Sequence, residues 1–422
     1  MSRSALLLLL LAPALAAQTP AEAPVRTLKD AYARALENSD SVAISEQALL
    51  QAEALYRGAL GGAFPLISFR HNTDWQHRRV GGSQFGGAQQ MQNEGGLRLT
   101  QVGLTGYREI AAVRGGKSVA SRRYHERRRA EQLLLADVAG AWYGLLQSRE
   151  NVSATARLLE YADKRLAETK DRVRVGRARE ADALAQEVQS QGLRSQLVEN
   201  ERLVAARGDL LAFLVRAPVD PDAAEPAPSE PPALEGYLAR MESRPDVAAA
   251  REAAAAASRA ADAAFAGYLP QVTLTGNYYA YRPVARQSNK WDAALTASIP
   301  IFSFGAIRAD NAAAGAAAAS AGFSLRAARR AADLDARNAH RDYVAALRQL
   351  EIQRRAEELA QRDYRLQTQD ERRGLVTSIE VLQSLDRLNV AGLARNDAFV
   401  QARLAAIALE TAAGAMPGEI LK

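Results

Sequence analysis

The chain has 422 residues, 48% of them apolar and 24% charged, with a net charge of +6. That balance supports folded structure and excludes an intrinsically disordered chain. There is no cysteine, which excludes disulfide scaffolds, thiol catalysis, Cys-ligated zinc and a lipid anchor on a cysteine.

At the N-terminus, Arg3 precedes the apolar run Ala5-Leu6-Leu7-Leu8-Leu9-Leu10-Leu11-Ala12 and then Ala14-Leu15-Ala16. A basic start, a short apolar core and an A-x-A site read as a secretory signal over residues 1–17. The run is too short for a membrane helix, and no later segment has 18 consecutive apolar residues. Any spanning part is therefore expected to be β-barrel wall, which satisfies its own backbone in lipid.

The elements expected in chain order are a helix over about 28–62, extended segments over about 64–80 and 92–105, a very long helix over about 107–172 and a shorter one over about 178–215. Six of the 15 prolines lie between Pro218 and Pro232, so 217–235 reads as an extended linker. After it come a helix over about 236–267, strands over about 271–281 and 291–302, a long helix over about 306–371 and a shorter one over about 376–414. No proline falls between Pro65 and Pro218 or between Pro300 and Pro417, which leaves both long helical stretches unbroken.

The two halves match. Phe64-Pro65-Leu66 corresponds to Leu269-Pro270-Gln271, Val175-Gly176 to Arg373-Gly374, and Trp142-Tyr143 to Asp342-Tyr343, at offsets of 205, 198 and 200. Near-constant spacing argues for a tandem duplication, with repeat 1 over 18–216 and repeat 2 over 236–422, each carrying a two-strand insertion (about 64–105 and 270–302). The expected class is mainly α with membrane β: long helices plus four strands per chain.

In the second insertion Val272, Leu274, Gly276 and Tyr278 share one face, and Trp291, Ala293, Leu295 and Ala297 make another apolar face. The first is less regular: Leu97 and Leu99 change phase with Val102 and Leu104, as a bulge would produce. Trp75, Tyr278, Tyr279, Tyr281 and Trp291 are candidate membrane-interface aromatics, against the alternative of an ordinary soluble sheet with aromatic packing. Four strands cannot close a barrel, since the smallest membrane barrels need eight, so closure requires several chains and three would supply twelve. A 66-residue helix would be a rod of roughly 100 Å, and two shorter helices laid end to end match its length. Apolar steps such as Ala181, Leu184 and Val188 suit coiled-coil packing.

Together these features resemble the TolC family of outer-membrane factors. The stretches that carry the resemblance are Arg244-Pro245-Asp246-Val247, Tyr268-Leu269-Pro270-Gln271-Val272-Thr273-Leu274, Ile299-Pro300-Ile301-Phe302-Ser303-Phe304-Gly305 and Arg373-Gly374-Leu375-Val376-Thr377 leading into Ile379-Glu380-Val381-Leu382. The resemblance implies a homotrimer: a twelve-stranded barrel in the lipid of the outer membrane, continuing as a helical barrel across the periplasm. It implies a passive exit duct, not an enzyme, working with a periplasmic adaptor protein and an inner-membrane pump or ABC transporter in a tripartite efflux or type I secretion system. It also implies adaptor-docking hairpin tips at Val175, Gly176 and Arg177 and at Gly374, Leu375, Val376 and Thr377. Asp182 and Glu380, six residues past the glycines, would constrict the periplasmic entrance; the alternative is two solvated helix acids. Many relatives carry a further acid three residues on, where this chain has Ala185 and Gln383.

No cofactor is expected, since the sequence shows no nucleophile–base constellation, metal cluster or cofactor loop. The histidines His71, His77, His125 and His340 lack metal-ligand spacing. The run from Arg122 to Arg129 reads as a solvated or pore-lining helix surface, and no nucleic acid is expected as partner. Gly81–Gly87 lacks the Lys-Ser/Thr of a phosphate loop and reads as an external loop. The competing function is a structural coiled-coil envelope protein without channel activity.

Overall fold

The computed structural model describes residues 24–79, 87–105, 107–221, 228–282 and 289–421. The expected signal sequence and residues 81–86 of the glycine-rich loop lie outside them. The first repeat runs α1 (Leu28–Asn38), α2 (Asp40–Gly62), β1 (Leu66–Arg79), β2 (Gly87–Thr105), α3 (Arg108–Arg174) and α4 (Glu180–Val215). The second runs α5 (Leu234–Arg240), α6 (Pro245–Phe265), β3 (Gln271–Tyr281), β4 (Trp291–Ser298), α7 (Ala306–Arg372), α8 (Ser378–Ala412) and a final turn, α9 (Pro417–Ile420). No described helix is long and apolar enough to cross a membrane.

The long helices α3 and α7 have 67 residues each. Arg108 to Ala306 and Arg174 to Arg372 both give an offset of 198, so the Trp142-Tyr143 match to Asp342-Tyr343 is two residues out of register. The strand insertions keep the offset of 205, from Leu66 to Gln271. The first insertion is the longer one.

Three expected elements are corrected. The helix over 28–62 is two helices, because Ser39 turns extended and caps α2, its hydroxyl accepting from the Val42 amide at 3.4 Å. The helix over 236–267 breaks before Pro245: proline drives the preceding residue out of the helical region, and Arg244 sits at ψ 134°. The strand expected to reach 302 stops at Ser298, ahead of Pro300, which has no amide to donate to a ladder.

Packing follows the length match. α2 lies along the first part of α3 and α4 along the rest, while α6 and α8 take the same places on α7. The repeats join inside the chain through α3 against α6, α3 against α8, and β2 against β3. The layer order is thus α2–α3–α6–α7 beside the sheet and α4–α3–α8–α7 toward the tips. The sheet is wholly antiparallel in the order β1-β2-β3-β4, with β1 and β4 as its edges.

The main core sits partway along the helices. Leu135, Trp142 and Leu145 of α3 meet Tyr32 and Ala35 of α1 and Leu211 and Val215 of α4. The chain entering α1 is tied to the start of the proline-rich linker: the Val25 amide donates to Pro218 O and the Asp220 amide to Val25 O, both at 2.9 Å. The run from Arg122 to Arg129 is largely charge-paired, Arg123 to Glu126 at 2.7 Å and Arg127 to Glu46 and Glu131 at 3.3 Å.

A second anchor is Arg244, whose side chain is 3% exposed. Its guanidinium donates to Asp246 at 2.7 and 3.0 Å, to Asp335 at 3.2 Å and to the Ala412 carbonyl at 3.4 Å. It therefore ties the start of α6 to α7 and to the end of α8. Burial pushes the Asp246 carboxyl up, but the hydrogen bonds and charge of Arg244 prevail and hold it below the usual carboxylate range.

Candidate functional site: a duct wall and two hairpin tips

The sheet separates an apolar from a polar face. Directly paired residues share a face, so Phe69, Leu97, Tyr278 and Trp291 form one row across all four strands, and Ile67, Leu99, Gly276 and Ala293 form the next. Leu295, Trp291 and Phe69 on this face are 73%, 69% and 65% exposed in the single chain. Exposed apolar surface of this extent is what contact with lipid would cover.

The opposite face is a polar network. Arg98 Nε donates to Asn277 Oδ1 at 2.8 Å, Asn277 Nδ2 to Asp292 Oδ1 at 2.7 Å, and the Tyr279 hydroxyl to Asp292 Oδ2 at 2.6 Å. The Arg282 guanidinium lies 3.6 Å from the Tyr279 ring centroid and donates to Glu94 at 3.3 Å. Tyr279 is therefore a correction: strand alternation sends it to the polar face, away from the other candidate interface aromatics.

Tyr281 escapes the same fate through a bulge. Gly96 pairs with Tyr279 but Gly95 pairs with Tyr281, so Ala280 is an extra residue and the alternation resets. Tyr281 then lies over Gly95 on the apolar face, its hydroxyl 2.5 Å from His71 Nδ1. A side chain at Gly95 would occupy the space of that ring. Trp75 lies on this face too, opposite Met91. A second register shift lies between Val102 and Thr105; the pairing is regular from Leu99 to Val102, so no bulge falls where the phase change in β2 was expected to need one.

At the other end of the molecule both repeats reverse direction with one motif. Gly176 and Gly374 adopt φ of +74° and +76°. The amide of Gly176 donates to Val173 O and that of Arg177 to Arg172 O, while Gly374 donates to Glu371 O and Leu375 to Asp370 O, at 2.7–3.0 Å. Each is a Schellman C-cap, which needs a left-handed residue and so favours glycine. Val175 and Leu375 project beside the glycines, 63% and 70% exposed. Val376 is half-buried, and Thr377 is the N-cap of α8.

The acids six residues on stand at the third position of the following helices. Asp182 accepts from the Arg179 amide at 3.4 Å and from its guanidinium at 2.9 Å. Glu380 accepts from the Thr377 amide at 2.5 Å and its hydroxyl at 2.9 Å. Hydrogen bonds from the Arg179 side chain hold the Asp182 carboxyl below its usual range, and the Thr377 amide does the same for Glu380. Both are charged at neutral pH, and both have a local task in starting a helix. They differ in that Asp182 has a cation of its own chain on it.

Two cross-repeat contacts near the tips have no local signal in sequence. Arg165 Nη2 of α3 stands 2.6 Å from Glu371 Oε1 of α7, with side-chain exposures of 8% and 12%. Gln186 Nε2 of α4 donates to the Ser378 hydroxyl of α8 at 2.7 Å. Among the described residues no group of His, Asp and Glu is placed to hold a metal ion.

An amphipathic sheet open at both edges, continuous at one end with paired helices of 67 residues, defines a class of protein: the outer-membrane channel with a helical extension. Residues 239–415 match the family model for outer membrane efflux proteins. No curated protein sequence matches the chain. Its fold is shared with CusC, at a TM-score of 0.82 and 18% identity over 92% of each chain. The Campylobacter jejuni CmeC outer membrane channel gives 0.80 at 15% identity, over 92% of this chain and 85% of that one. The outer membrane protein VceC of Vibrio cholerae gives 0.80 at 18%, over 92% and 96%. The resemblance drawn from sequence motifs therefore holds: residues 239–415 carry the outer membrane efflux protein pattern, and 92% of the chain carries the channel fold. The family is one of outer-membrane channels and not of enzymes, and outer-membrane localisation follows from it.

Proposed function

We propose that this chain is one protomer of a trimeric exit duct, which passively conducts substrates exported by a tripartite efflux pump or a type I secretion system. The observation that carries the reading is an interface used once and needed again. Inside the chain, repeat 1 meets repeat 2 through β2–β3, α3–α6 and α3–α8. The equivalent edges, β4 with α7 on one side and β1 with α2 and α4 on the other, have no such partner among the described residues. They expose Ile352, Leu359 and Leu366 at heptad spacing on α7, and Ile44, Leu55, Val188 and Phe213 on α2 and α4. A tandem repeat closes by using its internal interface again between chains, which makes a ring. Three chains supply twelve strands and remove every open edge.

In this reading the tips around Gly176 and Gly374 dock a periplasmic adaptor, which links the duct to an inner-membrane pump or ABC transporter. Asp182 and Glu380 lie one turn inside the tips, where six carboxylates per trimer would narrow the entrance. The test combines the mass of the detergent-solubilised protein with conductance in planar bilayers. A conducting trimer is expected. A water-soluble monomer overturns the reading, and a non-conducting trimer favours a structural coiled-coil envelope protein.

A further inference from the structure

Beside the sheet the helices follow the order α2–α3–α6–α7. Neighbouring protomers add at the outer members of that row, so the groove between α3 and α6 stays uncovered in the ring. At the sheet end this groove widens into a cavity of about 540 Å³. Its lining is mixed in a specific way: Tyr107, Ile110, Phe265 and Leu269 supply apolar and aromatic surface, and Arg114, Arg259 and Asp262 supply charge, one positive charge in balance. Arg259 is paired with Asp262 at 3.0 Å. Arg114 is exposed and has no carboxylate at ion-pair distance among the described residues.

The cavity lies where strands give way to helices, the level of a membrane boundary. Around that level Phe64, Phe302 and Phe304 are 69%, 74% and 90% exposed. Tyr107, Ile110, Ala111 and Arg114 follow one another at steps of three and four residues, so they line the cavity from one face of α3. The site belongs to one repeat only: at the offset of 198, Arg114 corresponds to Ala312 and Tyr107 to Gly305.

We propose that this cavity holds one anionic phospholipid per protomer, drawn from the leaflet that faces the periplasm. Its phosphodiester lies against Arg114, and an acyl chain runs along Ile110, Phe265 and Leu269. A free cation beside apolar surface selects an amphiphile with net negative charge over a zwitterionic one. In a chain without cysteine, such a lipid fixes the depth of the helical barrel below the membrane without a covalent anchor. The inference rests on the duct reading.

The test equilibrates purified protein with phosphatidylethanolamine vesicles containing phosphatidylglycerol, then reads oligomeric mass and retained lipid together by native mass spectrometry. Wild type is expected to retain up to three phosphatidylglycerol molecules per trimer and far less phosphatidylethanolamine. Excess inorganic phosphate should not displace them, since the cavity also binds the chain. Arg114→Glu and Arg114→Gln should lower retention about fivefold at unchanged trimer mass, the order expected for one cation at an anionic surface. Equal retention of both lipids, displacement by phosphate, or unaltered retention in both variants overturns the proposal. A trimer that retains no phosphatidylglycerol sinks the lipid site alone, whereas a soluble monomer sinks the duct reading and the site with it.

Discussion

Arg165 and Glu371 lie 206 residues apart in sequence, and their side chains meet 2.6 Å apart in a nearly buried ion pair. They join the long helices of the two repeats close to the hairpin tips, with Arg172 a further 3.9 Å neighbour of the same carboxylate. Removing one member of a buried pair leaves the other charge uncompensated, at a cost of about 3 kcal/mol. Glu371→Ala should therefore loosen the tip region while the distant core around Trp142 stays intact. Hydrogen exchange should show faster exchange confined to about residues 160–190 and 360–390. Uniform or unchanged exchange would mean that the pair does not hold the repeats together there.

The tip glycines allow a graded test. Replacing Gly374 by alanine places a side chain in left-handed backbone, which costs about 1 kcal/mol. The space around the position is open, so the variant should fold, form trimers and export. Gly374→Trp and Leu375→Glu should abolish export at unchanged trimer yield, because bulk or charge then stands on the adaptor-docking surface. Export and trimer yield are measured in the same strain, and full export by both variants would remove docking from this tip.

Asp182 and Glu380 call for separate substitutions, because their surroundings differ. Glu380→Gln removes a carboxylate with no cation on it, whereas Asp182→Asn removes one already paired with Arg179. Cation preference should therefore fall more for Glu380→Gln than for Asp182→Asn. Reversal potentials under a salt gradient across a bilayer provide the measurement. Values identical to wild type for both variants would leave the acids with helix capping as their only task.

The Arg244–Asp246 anchor predicts a pH dependence. The folded state holds the Asp246 carboxyl below its unfolded value, so the pair's contribution is fully present above about pH 4, the ordinary carboxylate range. It is lost as the pH falls through the lower, folded value. Thermal unfolding of wild type should weaken steadily below about pH 4, and Asp246→Asn, less stable at neutral pH, should show a shallower acid loss. Parallel pH profiles would show that the titration responsible lies elsewhere.

Much of the architecture was legible in the chain alone. Two proline-free stretches rich in helix formers determined two long helices, and Gly176 and Gly374 marked their ends because a Schellman cap needs left-handed backbone. Alternation in Val272–Tyr278 and Trp291–Ala297 determined a two-faced sheet. These are local properties, set by side-chain periodicity and by what glycine and proline allow. Tertiary structure decided the rest. The extra residue Ala280 returned Tyr281 to the apolar face while Tyr279 stayed on the polar one, a choice that exists only in the pairing of β2 with β3. Arg165 met Glu371, and Arg244 gathered carboxylate and carbonyl oxygens from three helices. Strand register and helix docking depend on partners up to about 200 residues away, and no local pattern carries that information.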